Sequence, residues 1–280
     1  MVTTDVLTES RRSARLRAPV AAERMFRLTG APGVEDGTGR RTAPKGMTAT
    51  LMTVLLLRAN HVVDSGVLVG LLWQESEPQS AKANLRQYVS KLRRFLAEAA
   101  PEGGSRLRSI GGGYLLEVRR SELDVTCFED LSDLGRRALE AGEVTAARAY
   151  LEASIELWSG PLCQGVALAP ELETEVHSRQ DLWLATHQML VRTRIQVGDY
   201  GHAIAEVRQL LVAHPLSEDL WGMLMLALYR SYRRGEALEA FRAARGLIVR
   251  ELGIEPTPQL QRLHQSILSG DCPLEGFDWP

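Results

Sequence analysis

At 280 residues, with 45% hydrophobic and 24% charged side chains, the chain has the composition of an ordinary soluble protein with room for two modest cores. Its formal net charge of −2 conceals a division: residues through Arg120 carry 19 Lys and Arg against 11 Asp and Glu, and the remainder carry 14 against 24. A half of net +8 joined to a half of net −10 points to a polyanion-binding part coupled to a part with another task.

Residues 1–23 are polar, Arg-rich and aperiodic, as expected of a disordered tail, and hold no apolar run that would make a secretory segment. A short strand is expected within MFRLTG (25–30). The APGVEDGTGRRTAPKG that follows, rich in Gly and Pro, reads as turns joining short strands. The apolar region Met47–Trp73 is interrupted by Arg58, Asn60, His61 and Asp64, too broken to span a bilayer. It divides into helices over about 48–59 and 65–73, the second capped by Asp64. Pro78 stands just before a longer helix over about 79–99, where a missing backbone N–H costs little. SRLRSIGGGYLLEV (105–118) then alternates around three glycines, as a two-stranded hairpin does. Strand, helices, long basic helix, hairpin: that order matches a winged helix-turn-helix.

After Leu123 the pattern changes to continuous amphipathic helices, with breaks at Gly142, SGPLCQG (159–165), Gly198, His214-Pro215 and Gly235. Gly198 and Gly235 open similar segments 37 residues apart, and Ala203 and Ala240 each follow by five, as Ala147 follows Gly142. Small residues at such positions suggest tetratricopeptide-like stacking, whose usual period is roughly 34 residues. The expected fold class is mainly α with small β. A winged helix-turn-helix domain (24–120) precedes an all-α tetratricopeptide-like helical domain (121–270) and a flexible tail (271–280).

The basic helix carries the chemistry. Leu85, Val89, Leu92 and Leu96 fall on one face at about 100° per residue. Ala83, Gln87, Ser90, Lys91 and Arg94 project oppositely, with Arg86 and Arg93 on the flanks. From Pro78 to Ala97 there is no Asp or Glu, although solvated helix faces ordinarily mix both signs. A solvated basic face is the plain reading of an isolated helix. The missing acids, the preceding helix at turn-like spacing and the hairpin behind it favour a DNA groove. There Gln87 can pair bidentately with adenine, and Lys91 and Arg94 can reach guanine edges or phosphates. In the hairpin, Arg106 and Arg108 precede Gly111, Gly112 and Gly113. That tip allows close approach to phosphate, or is simply a tight turn.

Enzymatic readings find little support: there is no GxxxxGK[ST] loop, GxSxG elbow or HExxH pair. The six histidines show no metal-ligand spacing with Cys, so neither metal nor cofactor is expected. Cys127, Cys163 and Cys272 form no CxxC pair and suit a reducing cytosol. Trp158, Trp183 and Trp221 lie in amphipathic helices, where core packing is expected.

The chain resembles the Streptomyces antibiotic regulatory protein (SARP) family, whose members join a winged helix of the OmpR/PhoB type to a bacterial transcriptional activation domain. In the first half the resemblance rests on LLLRANHVV (55–63), LVGLLW (68–73), AKANLRQYVSKLRRFL (81–96) and GGYLLEV (112–118). In the second it rests on LDVTCFEDL (123–131), IELWSGPL (155–162), HPLSEDLWGMLMLALYRSYRRGEALEAFR (214–242) and ELGIEPTPQLQRLH (251–264). It implies an activator of a secondary-metabolite gene cluster, acting in the bacterial cytoplasm on double-stranded promoter DNA. A side-by-side dimer on tandem repeats near the −35 element would recruit RNA polymerase holoenzyme through its sigma and alpha subunits. Carried over, the recognition helix is 79–97, with Asn84, Gln87, Ser90 and Lys91 on base edges. Lys82, Arg86, Arg93, Arg94, Arg106 and Arg108 fall on phosphates. The loop containing Trp73, Gln74, Glu75, Ser76 and Glu77 corresponds to a polymerase contact. Where the family commonly has basic residues opening the first helix, this chain has Thr48 and Thr50, whose hydroxyls can still donate to phosphate. Two other uses of the helical half stay open from the residues alone: a peptide-binding adaptor and a small-molecule-gated regulator.

Overall fold

The computed structural model describes residues 24–99 and 106–270. The tails expected over 1–23 and 271–280 lie outside those residues. Strands β1 (Arg24–Arg27), β2 (Gly33–Asp36) and β3 (Arg41–Thr42) form an antiparallel sheet in chain order. Phe26 lies opposite Val34, and both are buried. Glu35 on the same sheet receives Arg27 at 2.9 Å and Arg41 at 3.4 Å. The bond from Arg27 holds its carboxyl below the usual glutamate range.

Three helices follow: α1 (Met47–Leu57), α2 (Ser65–Trp73) and α3 (Ala81–Ala99). Asp64 caps α2 as expected, its carboxylate accepting from the Gly66 N–H at 2.6 Å. The third helix starts two residues later than expected. The Ala81 N–H donates to the Pro78 carbonyl at 2.9 Å, so 78–80 form a lead-in turn. Its buried residues are Ala81, Leu85, Val89, Leu92 and Leu96, the expected face plus one. Each such leucine or valine is worth about 1.5–3 kcal/mol once buried.

The wing has three strands, not two. β5 (Leu107–Ile110) and β6 (Gly113–Leu116) pair antiparallel, and β4 (Val63–Asp64) adds to the other edge of β6. Gly113 is demanded by that addition, because a Cβ there would lie 2.4 Å from the Val63 carbonyl oxygen. Gly111 and Gly112, at φ +57° and +87°, make the tight turn.

The remaining described chain is helical: α4 (Asp124–Glu140), α5 (Val144–Glu156), α6 (Pro170–Gln196), α7 (Tyr200–Ala213), α8 (Glu218–Arg230), α9 (Arg234–Leu252) and α10 (Pro258–Ser269). The expected breaks hold except at Gly235, which sits in the first turn of α9; the chain turns instead around Tyr232, at φ +62°. Ala147, Ala203 and Ala240 are all buried, as small residues between packed helices are.

The described chain divides into two compact units, which interleave in the sequence between Leu131 and Leu182. Residues through Leu131 cluster with Ala153–Asp181, whereas Ser132–Glu152 cluster with residues from Leu182 onward. In the first unit, SGPLCQG is more than a helix break. Cys163 N–H donates to the Leu28 carbonyl at 2.7 Å, and Gly30 N–H to that of Pro161 at 2.9 Å, so this segment lines the continuation of β1. Asp124, fully buried, accepts from the backbone N–H of Leu28, Thr29 and Val125 and from the Thr29 hydroxyl. Burial pushes its carboxyl above the ordinary aspartate range. Leu162, Cys163, Leu172 and Val176 share one core with Phe26 and Leu28. Trp158 packs there too, with its ring 5.0 Å from Phe128.

In the second unit, two segments that carried the family resemblance are clasped together. The Glu218 carboxylate accepts from Thr257 N–H at 2.7 Å and from its hydroxyl at 2.6 Å. Trp221 Nε1 donates to the Pro215 carbonyl at 2.9 Å, and Trp183 and Trp221 pack against this core. His187, buried, bonds Glu206, which also binds Arg194. No spacing in the sequence marks this network. Burial pushes the Cys127 thiol up to about 11 and Cys163 to about 12, so neither is a reactive thiolate. Among the described residues no helix is long and apolar enough to cross a membrane.

Candidate nucleic-acid interface

Helix α3 packs its apolar face inward and leaves Lys82, Ala83, Arg86, Gln87, Ser90, Lys91 and Arg94 exposed in a continuous band. None of Lys82, Arg86, Lys91 and Arg94 is held in an ion pair among the described residues. Asn84 is half-buried at the edge, its amide donating to the Ser80 hydroxyl at 3.2 Å.

Several other expected contacts are occupied elsewhere. Arg93 is half-buried and donates to the Leu107 carbonyl at 3.1 Å and the Ser109 hydroxyl at 2.8 Å, tying α3 to β5. Arg106, with its side chain 19% exposed, donates to both oxygens of Glu122, which lies in the 3-10 turn Arg120–Glu122. It fastens the wing to the chain that follows, and to meet a phosphate it would have to leave Glu122. Arg108 pairs with Glu117 at 2.7 Å, but the two side chains are 57% and 46% exposed, so this pair exchanges cheaply with a phosphate. Thr48 offers little surface to a phosphate. It is 6% exposed, packed into the start of α1, and Thr50 is half-buried.

The loop after α2 forms a 3-10 turn, Gln74–Ser76, with Gln74 at φ +50°. Gln74, Glu75, Ser76 and Glu77 are exposed and Trp73 is half-buried. Beside this turn lies a groove of about 780 Å³, lined by Arg58, Val67, Trp73, Glu75, Pro170 and Glu171. Sequence reasoning passed over Tyr88, whose ring touches both Trp73 and Lys91; its place three residues before Lys91 was the available signal. No group of three His, Cys, Asp or Glu among the described residues is placed to hold a metal ion.

Residues 123–268 match the bacterial transcriptional activator domain. The regulatory protein DnrI of Streptomyces peucetius is 35% identical over 226 residues, covering 79% of this chain and 83% of the relative. The chain belongs to the SARP family. Transcriptional regulator RedD of Streptomyces coelicolor is 35% identical over 237 residues, 81% of this SARP chain and 65% of the relative. Regulatory protein AfsR of Streptomyces griseus is 35% identical over 221 residues, but those amount to only 22% of its length. Among solved structures, Mycobacterium tuberculosis EmbR in complex with a low-affinity phosphopeptide superposes with a TM-score of 0.80 at 27% identity, covering 89% of this chain and 66% of that one. The fold is a winged helix-turn-helix followed by a helical activation domain, and this SARP protein is a transcriptional regulator.

Proposed function

We propose that this regulator activates an antibiotic or other secondary-metabolite gene cluster by laying α3 in the major groove of promoter DNA. Two protomers lie side by side on tandem repeats near the −35 element. The turn after α2 meets RNA polymerase holoenzyme through its sigma and alpha subunits, in the bacterial cytoplasm. The observation that carries the reading is the exposed band on α3, four cations without one acid, with small Ala83 and Ser90 between them. Phosphates satisfy such a band, and Gln87 and Lys91 within it are of the types that read base edges.

Lys91→Ala should relax sequence preference by roughly 1–3 kcal/mol, while Arg94→Ala weakens all duplexes alike. DNA-shift titrations on a promoter duplex and a scrambled one check this; equal losses for Lys91→Ala on both would remove it from base reading. For the polymerase contact, the exposed Glu75 and Glu77 suit a basic surface. Reversing both to lysine should abolish stimulation of run-off transcription with purified holoenzyme and leave the DNA-shift midpoint unchanged. Stimulation that persists would place the polymerase contact elsewhere.

A further inference from the structure

We propose that Tyr88 is a positioning residue for base reading: its ring holds the Lys91 ammonium at one edge of the DNA-facing band, and Trp73 holds the ring. This rests on the groove reading given above. Lys91 Nζ lies 5.3 Å from the centroid of the Tyr88 ring, inside the roughly 6 Å over which a cation is attracted to an aromatic face. The two residues are three apart on α3, one turn of the same helix. The ring also meets Trp73, centroid to centroid 6.1 Å and inclined by 41°. Both aromatic residues are half-buried and pack against the core of their unit, so the ring is a fixed platform beneath an exposed lysine.

The arrangement solves a particular difficulty. A lysine has a flexible four-carbon stem, and fixing it against one base loses much side-chain entropy. A phosphate contact tolerates a loosely held charge, because the target is a broad negative surface. A base edge does not. Lys82, Arg86 and Arg94 have no ring beneath them among the described residues, whereas Lys91 has one. Restricting Lys91 before DNA arrives lowers the entropy lost on binding and fixes the direction from which the ammonium reaches the base. Because Trp73 opens the loop proposed to meet polymerase, the same ring joins that loop to the reading face.

The test uses the full chain and a duplex enriched by the wild-type protein from a random pool, with a scrambled duplex as comparison. Tyr88→Phe, which keeps the ring face, should bind both as wild type does. Tyr88→Leu should lose roughly two- to fivefold on the enriched duplex and nothing on the scrambled one. That loss should vanish in a Lys91→Ala background. If Tyr88→Leu does not fold, phenylalanine carrying one, two or three ring fluorines at position 88 keeps the volume while weakening the ring face, and enriched-duplex affinity should fall stepwise. Unchanged affinity across that series, equal losses on both duplexes, or additivity with Lys91→Ala overturns the proposal. Should Lys91→Ala itself show no selective loss, the base-reading assignment fails instead.

Discussion

Replacing Asp124 with alanine is expected to cost about 2–5 kcal/mol of folding free energy, a large part of the roughly 5–15 kcal/mol a domain has. The carboxylate is fully buried and accepts from Leu28 N–H at 2.9 Å, Thr29 N–H at 2.9 Å, the Thr29 hydroxyl at 2.7 Å and Val125 N–H at 2.8 Å. Alanine leaves those backbone donors without their acceptor inside a core, at about 1–3 kcal/mol for each that water does not reach. Part is offset, because burial already pushes the carboxyl above its usual range and the variant no longer desolvates that charge. Asp124→Asn separates the two effects. Its carbonyl oxygen can stand where Oδ2 receives Leu28, Thr29 and the Thr29 hydroxyl, so it should lose clearly less than alanine. Urea unfolding of the full chain followed by circular dichroism measures both. Midpoints for Asp124→Ala equal to wild type would show that these bonds contribute nothing net.

How far the sequence revealed this molecule depends on the range of the interactions. The α3 face was legible because Leu85, Val89, Leu92 and Leu96 recur at helical spacing and each is buried. Asp64 was legible because its capping bond spans two residues. The third wing strand was not, since Val63–Asp64 is too short to show alternation and pairs with residues some fifty positions away. Arg106 and Arg108 occupy alternate positions of one hairpin and look equivalent. What separates them is Glu122, beyond the hairpin. The burial of Thr48 was hidden for a related reason: Leu51 to Leu57 of α1 is buried almost all round, so no apolar stripe distinguishes an inner from an outer face. The bonds of SGPLCQG to Leu28 and Gly30 close a separation of about 130 residues, and no local pattern announces them. The polar groups that remained illegible are those whose bonding partners are distant in the chain.

DNA affinity should fall with a log–log salt slope of about −3.6 for each bound protomer, roughly 150-fold between 50 and 200 mM salt. The figure follows from which cations are free. Lys82, Arg86 and Arg94 are exposed and outside ion pairs among the described residues, and Arg108 is held only by an exposed pair. Four phosphates neutralised at about 0.9 each give that slope. Counting Arg93 and Arg106 as well, as the family resemblance implied, gives about −5.4. The structure commits Arg93 to Leu107 and Ser109 and Arg106 to Glu122, and phosphate would have to displace bonds that hold the wing in place. Titrations at five salt concentrations on a single-repeat duplex distinguish the two values. Arg108→Ala should then lower the slope by about 0.9, and Arg106→Ala should leave it unchanged while reducing the unfolding midpoint. A slope near zero would remove phosphate neutralisation from the binding altogether. A slope near −5.4 would mean that the wing opens on DNA and surrenders Arg93 and Arg106 to the backbone.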